Sequence, residues 1–556
     1  MSRYLRWQAA IALLGIVLLV ALLSYAAYNF TSVTVPERGG TFVEGVAGNP
    51  QYLNPLFTRL NPVDADLSSL IFNGLTKLDQ QGNVVPDLAQ DWTVSKDGLT
   101  YDFRLRPGLF WHDGAPVSAS DVLYTVSAMQ NPDFPGDPAL NVLWRAVKVS
   151  APDGPDGLSV RFKLEQPLAP FIDSTSIGLL PAHLWERVPI TQMLSSQLNT
   201  RPIGTGPFEV SQLTASHIDL APNPRYPGPT PYVAGLTIRF YPDRQSLLPA
   251  YDRHEIDALG YVAPDDLAAA TTRKDLHLLS APISGYTLIY LNLQNPNTPF
   301  FKDLNVRQAL LCGLNRQSLI DEVLHGQGQV ANSPILPGTW AYNRDLQPVK
   351  YDPERARQLL DQAGWKDTNG DGVREQGDKK LSFILVGPDQ ALLEAISIAW
   401  AQIGVRAVPQ VVTNAGLSAD FLAPRSYEAA LVHWDQPGDP DPYPLWHSTQ
   451  IKAGQNYAGW NDRVADEAIE KARALPDAAS RKAFYVDFQN EFAAKVPAIL
   501  LYHPVYTIGV RDKIHDVQIG PFNTAADRYR DLANWYIVTK RITVGSSAPR
   551  LEGAGK

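Results

Sequence analysis

The segment with the clearest potential for ligand chemistry runs from Tyr427 to Trp446, where an apolar strand pattern leads into an acidic, aromatic and proline-rich stretch. Stiff aromatic surfaces beside a fixed carboxylate suit a ligand that carries an ammonium group and variable side chains. The candidate ligand-binding residues of this segment are Trp434, Asp435, Asp439 and Tyr443. Asp439 and Asp441 could instead cap turns, because Asp side chains commonly bond the backbone two residues further on.

A second acidic stretch, Asp367–Asp378, partly fits a calcium-binding loop. Oxygen-bearing residues occupy loop positions 1, 3, 5, 9 and 12, with glycine at position 6; they are Asp367, Asn369, Asp371, Glu375 and Asp378. Calcium prefers such oxygen ligands, but position 12 carries Asp rather than the usual bidentate Glu. No second helix pattern follows the loop. We therefore predict either a calcium site or a solvated connection between a helix and a strand.

The chain lacks the common catalytic signatures. Neither GxSxG nor HExxH occurs, and the glycines between Pro202 and Phe208 are not accompanied by a phosphate-binding pattern. Cys312 is the only cysteine, which excludes an internal disulfide and a thiolate metal cage. His433, His447 and His503 have no metal-ligand spacing. We predict no catalytic residues, and a hydrolase would have to use a pair of scattered carboxylates.

Length and charge narrow the class of protein. A chain of 556 residues exceeds the size of a single hydrophobic core, so two or three domains are expected. Its net charge is −9, and no basic run occurs beyond the first few residues. We therefore predict no nucleic-acid partner, since nucleic acid requires a concentrated cationic patch.

The N-terminus carries the one targeting signal. Arg3 and Arg6 precede Ala9–Tyr28, an uncharged run rich in Leu, Val, Ile and Ala. A helix of this length spans a hydrocarbon core of about 30 Å, and the preceding positive charges place everything after it outside the cytoplasm. Ser24 and Ala26 would also suit signal-peptide cleavage. The length of the run favours an uncleaved membrane anchor over residues 1–30.

The most readable scaffold lies between Pro86 and Tyr124. Two alternating apolar stretches around a Lys96–Gly98 turn predict a β-hairpin, and Ser118 predicts a helix start. Further along, the patterns predict a helix at Ala65–Leu75 and late strands at Ile514–Ile519 and Asn534–Val538.

The order of motifs in this scaffold resembles a known family. The succession DLAQDW, DGLTYDFRLRPG, F-x-HDG and SASDV is similar to the signature region of family 5 of the bacterial extracellular solute-binding proteins, which serve oligopeptide and dipeptide ABC importers. Further matches occur at the GTGPF segment, at NVRQAL, at the helix ending in Gly364 and at DPD. The family's lipid-bearing cysteine after the apolar run is absent from this chain.

The resemblance implies a two-lobed α/β fold of the periplasmic-binding-protein type (type II), hinge-connected, with an extra subdomain on the first lobe. The expected organisation assigns residues 38–78, 201–283 and 513–540 to lobe I, 79–200 to its extra subdomain, 284–512 to lobe II and 541–556 to a flexible tail. Ligand is expected between the lobes. The resemblance makes Asp435 the acid that binds a peptide's α-amino group, although the motif spacing also allows Gln436. It completes the candidate set with Tyr52, Asn73, Tyr286 and Asn292.

The resemblance also implies a function and partners. We expect a monomer at the outer face of the cytoplasmic membrane that captures peptides and passes them to the permease subunits of an ABC importer. A nickel chelate, an oligosaccharide or an opine-like solute is the alternative ligand, and membrane-tethered sensing is the alternative role. No cofactor other than the possible calcium ion is expected.

Overall fold

Two large clusters of buried apolar side chains divide the molecule. The computed structural model describes residues 3–436 and 438–543. One cluster runs through residues 42–240 and is joined again by residues 508–535, and the other lies within residues 286–502. We call the body around the first cluster lobe I and the body around the second lobe II. The chain therefore builds most of lobe I, then lobe II, and returns to lobe I.

The strands, in chain order, are β1 Ser32–Glu37, β2 Thr41–Ala47, β3 Thr76–Leu78, β4 Val84–Pro86, β5 Ala89–Val94, β6 Thr100–Leu105, β7 Val147–Ser150, β8 Ser159–Leu164, β9 Phe208–Leu213, β10 His217–Pro222, β11 Gly235–Tyr241, β12 Ala258–Leu259, β13 Leu276–Pro282, β14 Gly285–Leu291, β15 Gly328–Val330, β16 Glu375–Gln376, β17 Lys379–Lys380, β18 Ser382–Gly387, β19 Arg406–Val411, β20 Ala429–Asp435, β21 Ala498–Arg511 and β22 Val538–Thr543. The α-helices are α1 Arg3–Thr31, α2 Pro62–Ile71, α3 Ala119–Gln130, α4 Pro138–Arg145, α5 Phe171–Ser174, α6 Ala182–Trp185, α7 Leu247–Asp252, α8 Leu267–Ala270, α9 Leu304–Cys312, α10 Arg316–Glu322, α11 Pro353–Gln362, α12 Gln390–Ala401, α13 Asn414–Gly416, α14 Tyr443–Trp446, α15 Arg463–Ala474 and α16 Ala478–Lys495.

A 12-stranded mixed sheet continues through both lobes. Its main path is β19-β18-β20-β14-β21-β12-β2-β11-β10-β9, and β13 and β15 also pair with β21. The first half of β21 pairs with β14 and β15, and its second half pairs with β13 and β12. The chain thus crosses between the lobes within β21 and again between β13 and β14, at Pro282–Gly285. Two neighbouring crossings of this kind form a hinge.

The four-stranded antiparallel sheet β5-β6-β8-β7 forms the extra subdomain on lobe I. The predicted hairpin is confirmed, since β5 pairs with β6 in antiparallel register. Tyr101, Phe103 and Leu105 are its buried side chains, as their alternation indicates. The helix predicted after Ser118 is α3, and Asp121 Oδ2 accepts a hydrogen bond from Ser118 N at 3.0 Å.

The N-terminal helix α1 joins a small sheet made of both ends of the chain. Its Trp7–Tyr25 segment is long and apolar enough to cross a membrane, and none of it is buried against the protein. The next strand, β1, pairs antiparallel with β22, from Ser32 opposite Thr543 to Glu37 opposite Val538. The predicted tail therefore begins within β22, and residues 544–556 lie outside the described residues.

Three sequence-based element assignments need correction. The helix predicted at Ala65–Leu75 is α2, which begins earlier because Asn61 caps it and Pro62 takes its first position. It also ends earlier, at Ile71. The strand predicted at Ile514–Ile519 is wrong, because only an isolated bridge joins His515 to Tyr536 there. The last strand, β22, begins only at Val538.

Candidate functional site

A cavity lies where both lobes and the hinge meet. The β3–β4 turn and the segment around Asn523 border it from lobe I, and Trp340 and the loop after β20 border it from lobe II. Ser284 and Gly285 of the hinge complete the wall. We call this the central cavity. It has a volume of about 30 Å³, which is room for about one water molecule, so a larger ligand requires the lobes to separate.

The loop after β20 links the two lobes. Gln436 N donates a hydrogen bond to Ser284 O at 3.3 Å, which keeps the start of the loop beside the hinge. Gly438 N donates to Asn523 Oδ1 of lobe I. The positive φ of Gly438, 87°, lets the chain turn at this contact. The loop that the sequence indicates as a ligand-binding segment therefore lies at the lobe junction.

The side chain of Asp435 does not line the central cavity. It is 81% exposed, and its Oδ1 lies 3.1 Å from His433 Nε2. This hydrogen bond holds the pKa of Asp435 below its usual range. Gln436, the alternative that the motif spacing allows, lines the cavity instead. The role of Asp435 in binding an amine stays a prediction, and its position favours Gln436 as the residue that faces a ligand.

Asp439 and Asp441 both have partners within lobe II. Arg481 donates to both oxygens of Asp439, at 2.5 and 2.7 Å. Arg473 lies 2.9 Å from Asp441, whose Oδ1 also accepts from Tyr443 N at 3.1 Å. Burial raises the pKa of Asp441 to about 6. These contacts give both acids a role in shaping the loop.

The aromatic candidates Trp434 and Tyr443 pack against lobe II. Trp434 Nε1 donates to Tyr290 Oη at 2.9 Å. Arg473 lies over the ring of Tyr443, 4.0 Å from its centroid, and His447 stacks against the same ring. Both residues support the loop from behind and do not line the central cavity.

Tyr286 and Asn292, at the two ends of β14, lie inside lobe II. The hydroxyl of Tyr286 accepts a hydrogen bond from Trp446 Nε1 at 3.1 Å, and burial raises the pKa of this tyrosine. Asn292 Nδ2 donates to the carbonyl oxygens of Tyr427, at 2.9 Å, and Arg425, at 3.2 Å. These side chains fix the fold around the strand, and neither lines the central cavity.

The two lobe I candidates lie apart from each other. Tyr52 packs edge-on against Phe57, with ring centroids 5.8 Å apart. Asn73 donates to Asp87 at 2.8 Å and lines a cavity of about 760 Å³ on lobe I. This cavity extends to Asp79 and Gln80, which also border the central cavity. Asn73 is therefore the candidate of this pair that lies on a surface continuous with the central cavity.

The predicted calcium loop brings three of its acids together. One oxygen each of Asp367, Asp371 and Glu375 lie within 4.8 Å of one another. Asp367 accepts hydrogen bonds from two backbone amides of the loop, and Lys380 Nζ lies 2.5 Å from Asp371 Oδ2. Asn369 Oδ1 accepts from Asp371 N, and Asp378 is exposed. Calcium would therefore have to displace the Lys380 ammonium.

Several residues at the lobe junction were not predicted from the sequence as site residues. Trp340, Asn523 and Arg530 line the central cavity, and Asp173 touches the loop after β20 from the extra subdomain. Each lies in a segment without a distinctive local pattern. Only the tertiary fold brings them together, so no single-sequence signal could identify them.

The amino-acid sequence is similar to those of known proteins. The model of the family described as "Bacterial extracellular solute-binding proteins, family 5 Middle" matches residues 83–457. Among curated proteins, the oligopeptide-binding protein AppA of Bacillus subtilis is 31% identical over 483 residues, which are 84% of this chain and 87% of that protein.

Solved structures have the same architecture. AppA of Bacillus subtilis in complex with a nonapeptide superposes with a TM-score of 0.66 at 28% identity, covering 91% of this chain and 100% of that one. NikZ of Campylobacter jejuni in complex with Ni(L-His) gives a TM-score of 0.68 at 27% identity, covering 89% of this chain and 99% of that one. The predicted two-lobed α/β fold is confirmed.

Proposed function

Since the chain belongs to family 5 of the bacterial extracellular solute-binding proteins, we propose that it captures a peptide between its lobes and delivers it to the permease subunits of an ABC importer. The observation that carries this proposal is the 31% identity to an oligopeptide-binding protein over 87% of that protein's length. The position of the central cavity between the lobes supports it. No catalytic step is part of the proposal.

Capture would proceed by hinge closure. The two crossings, at Pro282–Gly285 and within β21, leave the lobes free to separate while each keeps its own core. A ligand that contacts both lobes binds the closed form better and so shifts the population towards it. The permease would then recognise the closed form.

A nickel chelate is the second candidate ligand, because NikZ of Campylobacter jejuni has been solved with Ni(L-His). Of the described residues that border the central cavity, none is a histidine or a cysteine. The chain therefore offers no imidazole or thiolate there to complete the coordination of a metal chelate. This composition favours a peptide.

We assign membrane attachment to α1. Helix α1, which contains the exposed apolar segment Trp7–Tyr25, leads directly into β1, so the lobes would stand close to the outer face of the membrane. The intact mass of the protein recovered from membranes should include residues 1–26. A mature chain that begins at Ala27 would show that the segment is a cleaved signal.

Native mass spectrometry tests the proposed ligand class. The full-length protein is purified gently in detergent, and its native mass is compared with the mass after denaturation. We expect a single protein chain carrying a ladder of added masses that match mixed short peptides. A single added mass that matches no peptide would overturn the ligand class, and metal in the spectrum would favour the chelate.

A further inference from the structure

A second cavity, of about 340 Å³, lies between the extra subdomain and lobe II. Trp92 and Tyr101 of the β5–β6 hairpin form one wall, and Trp340 of lobe II lies opposite. Gly82 and Trp340 border both this cavity and the central cavity, so the two are adjacent. We call it the side chamber. Its volume suits a single long side chain rather than a whole peptide.

The charges around the side chamber do not balance. Three carboxylates line it, those of Asp173, Asp439 and Asp477, against one guanidinium, that of Arg481. Arg481 gives two hydrogen bonds to Asp439 and a third to Tyr485. Asp477 caps the start of α16 by accepting from Ser480 N at 2.8 Å. Arg481 therefore acts on Asp173 only from a distance, and Asp173 forms no ion pair among the described residues.

Asp173 is the member of this group that lacks a paired cation, although its carboxyl group accepts a hydrogen bond from the backbone of Asp439. Its Oδ1 is shielded from solvent and has no hydrogen-bond partner among the described residues. Burial and, next, the Asp439 carboxylate raise the pKa of Asp173 to about 7, against the opposing effects of the backbone hydrogen bond from Asp439 and the charge of Arg481. A shielded carboxyl group without a paired cation is costly to ionise, and a cation placed beside it removes most of that cost.

The aromatic walls favour the same class of ligand. Trp and Tyr rings attract cations through their faces, and the attraction increases when the pair is shielded from water. Arg481 already lies over Trp340, 5.1 Å from the ring centroid, so this wall accommodates a guanidinium. Trp92 and Tyr101 add two further rings to the chamber.

We propose that the side chamber binds the guanidinium or ammonium side chain of a basic residue in the captured peptide, with Asp173 as its counter-charge. The inference rests on the proposed function, since the chamber adjoins the central cavity. It adds a preference for Arg- or Lys-containing peptides. Because Asp173 belongs to the extra subdomain and Asp439 to lobe II, a cation between them would also draw these two bodies together.

Matched peptides test the proposal on the full-length protein in detergent. Ala-Arg-Ala is compared by isothermal titration calorimetry with Ala-citrulline-Ala, which has nearly the same shape but no charge. We expect the arginine peptide to bind at least about tenfold more tightly, as a charge-assisted hydrogen bond predicts. Equal affinities would overturn the charge preference and leave the proposed function intact. No binding of either peptide, nor of a mixed peptide library, would overturn both.

Variants then locate the preference. Asp173→Asn should reduce the arginine-to-citrulline ratio to near one while citrulline binding is retained. Asp133→Asn is the matched control, since Asp133 is an exposed residue of the same subdomain outside the chamber. An unchanged ratio in Asp173→Asn, or an equal loss of both peptides, would overturn the role of Asp173. The wild-type comparison does not depend on the folding of a variant.

Discussion

Two groups in this molecule each place one buried arginine near two shielded carboxylates, but the arginine contacts both carboxylates in one group and only one of them in the other. In lobe I, Arg528 lies between Glu44 and Asp66 and donates hydrogen bonds to both, at 2.6 to 3.0 Å. At the lobe junction, Arg481 gives both its carboxylate contacts to Asp439, so Asp173 has no paired cation. One guanidinium can serve two carboxylates, but only when it lies between them.

The difference follows from where the residues come from. Glu44, Asp66 and Arg528 all belong to lobe I and stay together whatever the lobes do. Asp173 comes from the extra subdomain, whereas Asp439 and Arg481 come from lobe II. We conclude that the complete group stabilises a single body, while the incomplete one lies where a ligand can supply the missing charge.

The largest effect is expected from Arg528→Met. The substitution leaves two buried carboxylates without a counter-charge, which typically costs about 3–5 kcal/mol of stability. Thermal unfolding followed by circular dichroism should show a clear loss for the lobe I transition. Arg161→Met is the control, since Arg161 pairs with Asp102 at the surface, where solvent screens the charges and such pairs add little to stability. Equal losses of stability in the two variants would show that Arg528 stabilises the protein no more than a surface ion pair does.

The next largest effect is expected at Gly438, where the loop after β20 approaches Asp173 of the incomplete group. A Cβ at Gly438 would lie 2.2 Å from Asp173 Oδ2, and its φ of +87° strains any side chain. Gly438→Ala should therefore weaken peptide binding about tenfold or more in calorimetry. Gly108→Ala introduces a comparable positive φ with no atom within 4 Å, and should bind peptide like the wild type. Unchanged affinity in Gly438→Ala would show that closure does not depend on this contact.

A smaller effect is expected in the pH dependence of stability, to which Asp173 of the incomplete group contributes. The pKa of Asp173 is raised from 3.8 to about 7, so the folded protein retains this proton over that range and loses stability as pH rises through it. The charged groups that act on Asp173 are Asp439 and Arg481, and Asp477 and Tyr101 line the same chamber. Asp173→Asn should melt at a higher temperature than the wild type at pH 8 and at nearly the same temperature at pH 4. An equal difference at both pH values would show that the carboxylate does not titrate there.

The smallest effect is expected at the Asp367–Asp378 loop. Lys380 already neutralises Asp371, so added calcium should raise the melting temperature of the full-length protein by only about 2 °C. EDTA should reverse the rise, and Asp371→Asn should abolish it. A melting temperature that neither calcium nor EDTA changes would show that this loop binds no calcium.

Elements that depend on local sequence patterns can be predicted from a single sequence, whereas contacts between distant segments cannot. The β5–β6 hairpin and the start of α3 at Ser118 follow from local alternation and capping, and both are confirmed. The strand at Ile514–Ile519 had the right pattern but found no partner strand, because pairing depends on distant chain segments. Asp173 and Arg481 are 308 positions apart along the chain, and no local pattern predicts that they line the same chamber. The side chamber therefore required the structure.

Hydrogen–deuterium exchange tests most directly whether the peptide is held between the lobes. The full-length protein in detergent is labelled with and without a mixed peptide library, and exchange is compared segment by segment. We expect simultaneous protection of the β3–β4 turn and the segment around Asn523 in lobe I, and of the loop after β20 in lobe II. Protection confined to one lobe, or no change on either lobe while peptide is bound, would contradict capture between the lobes.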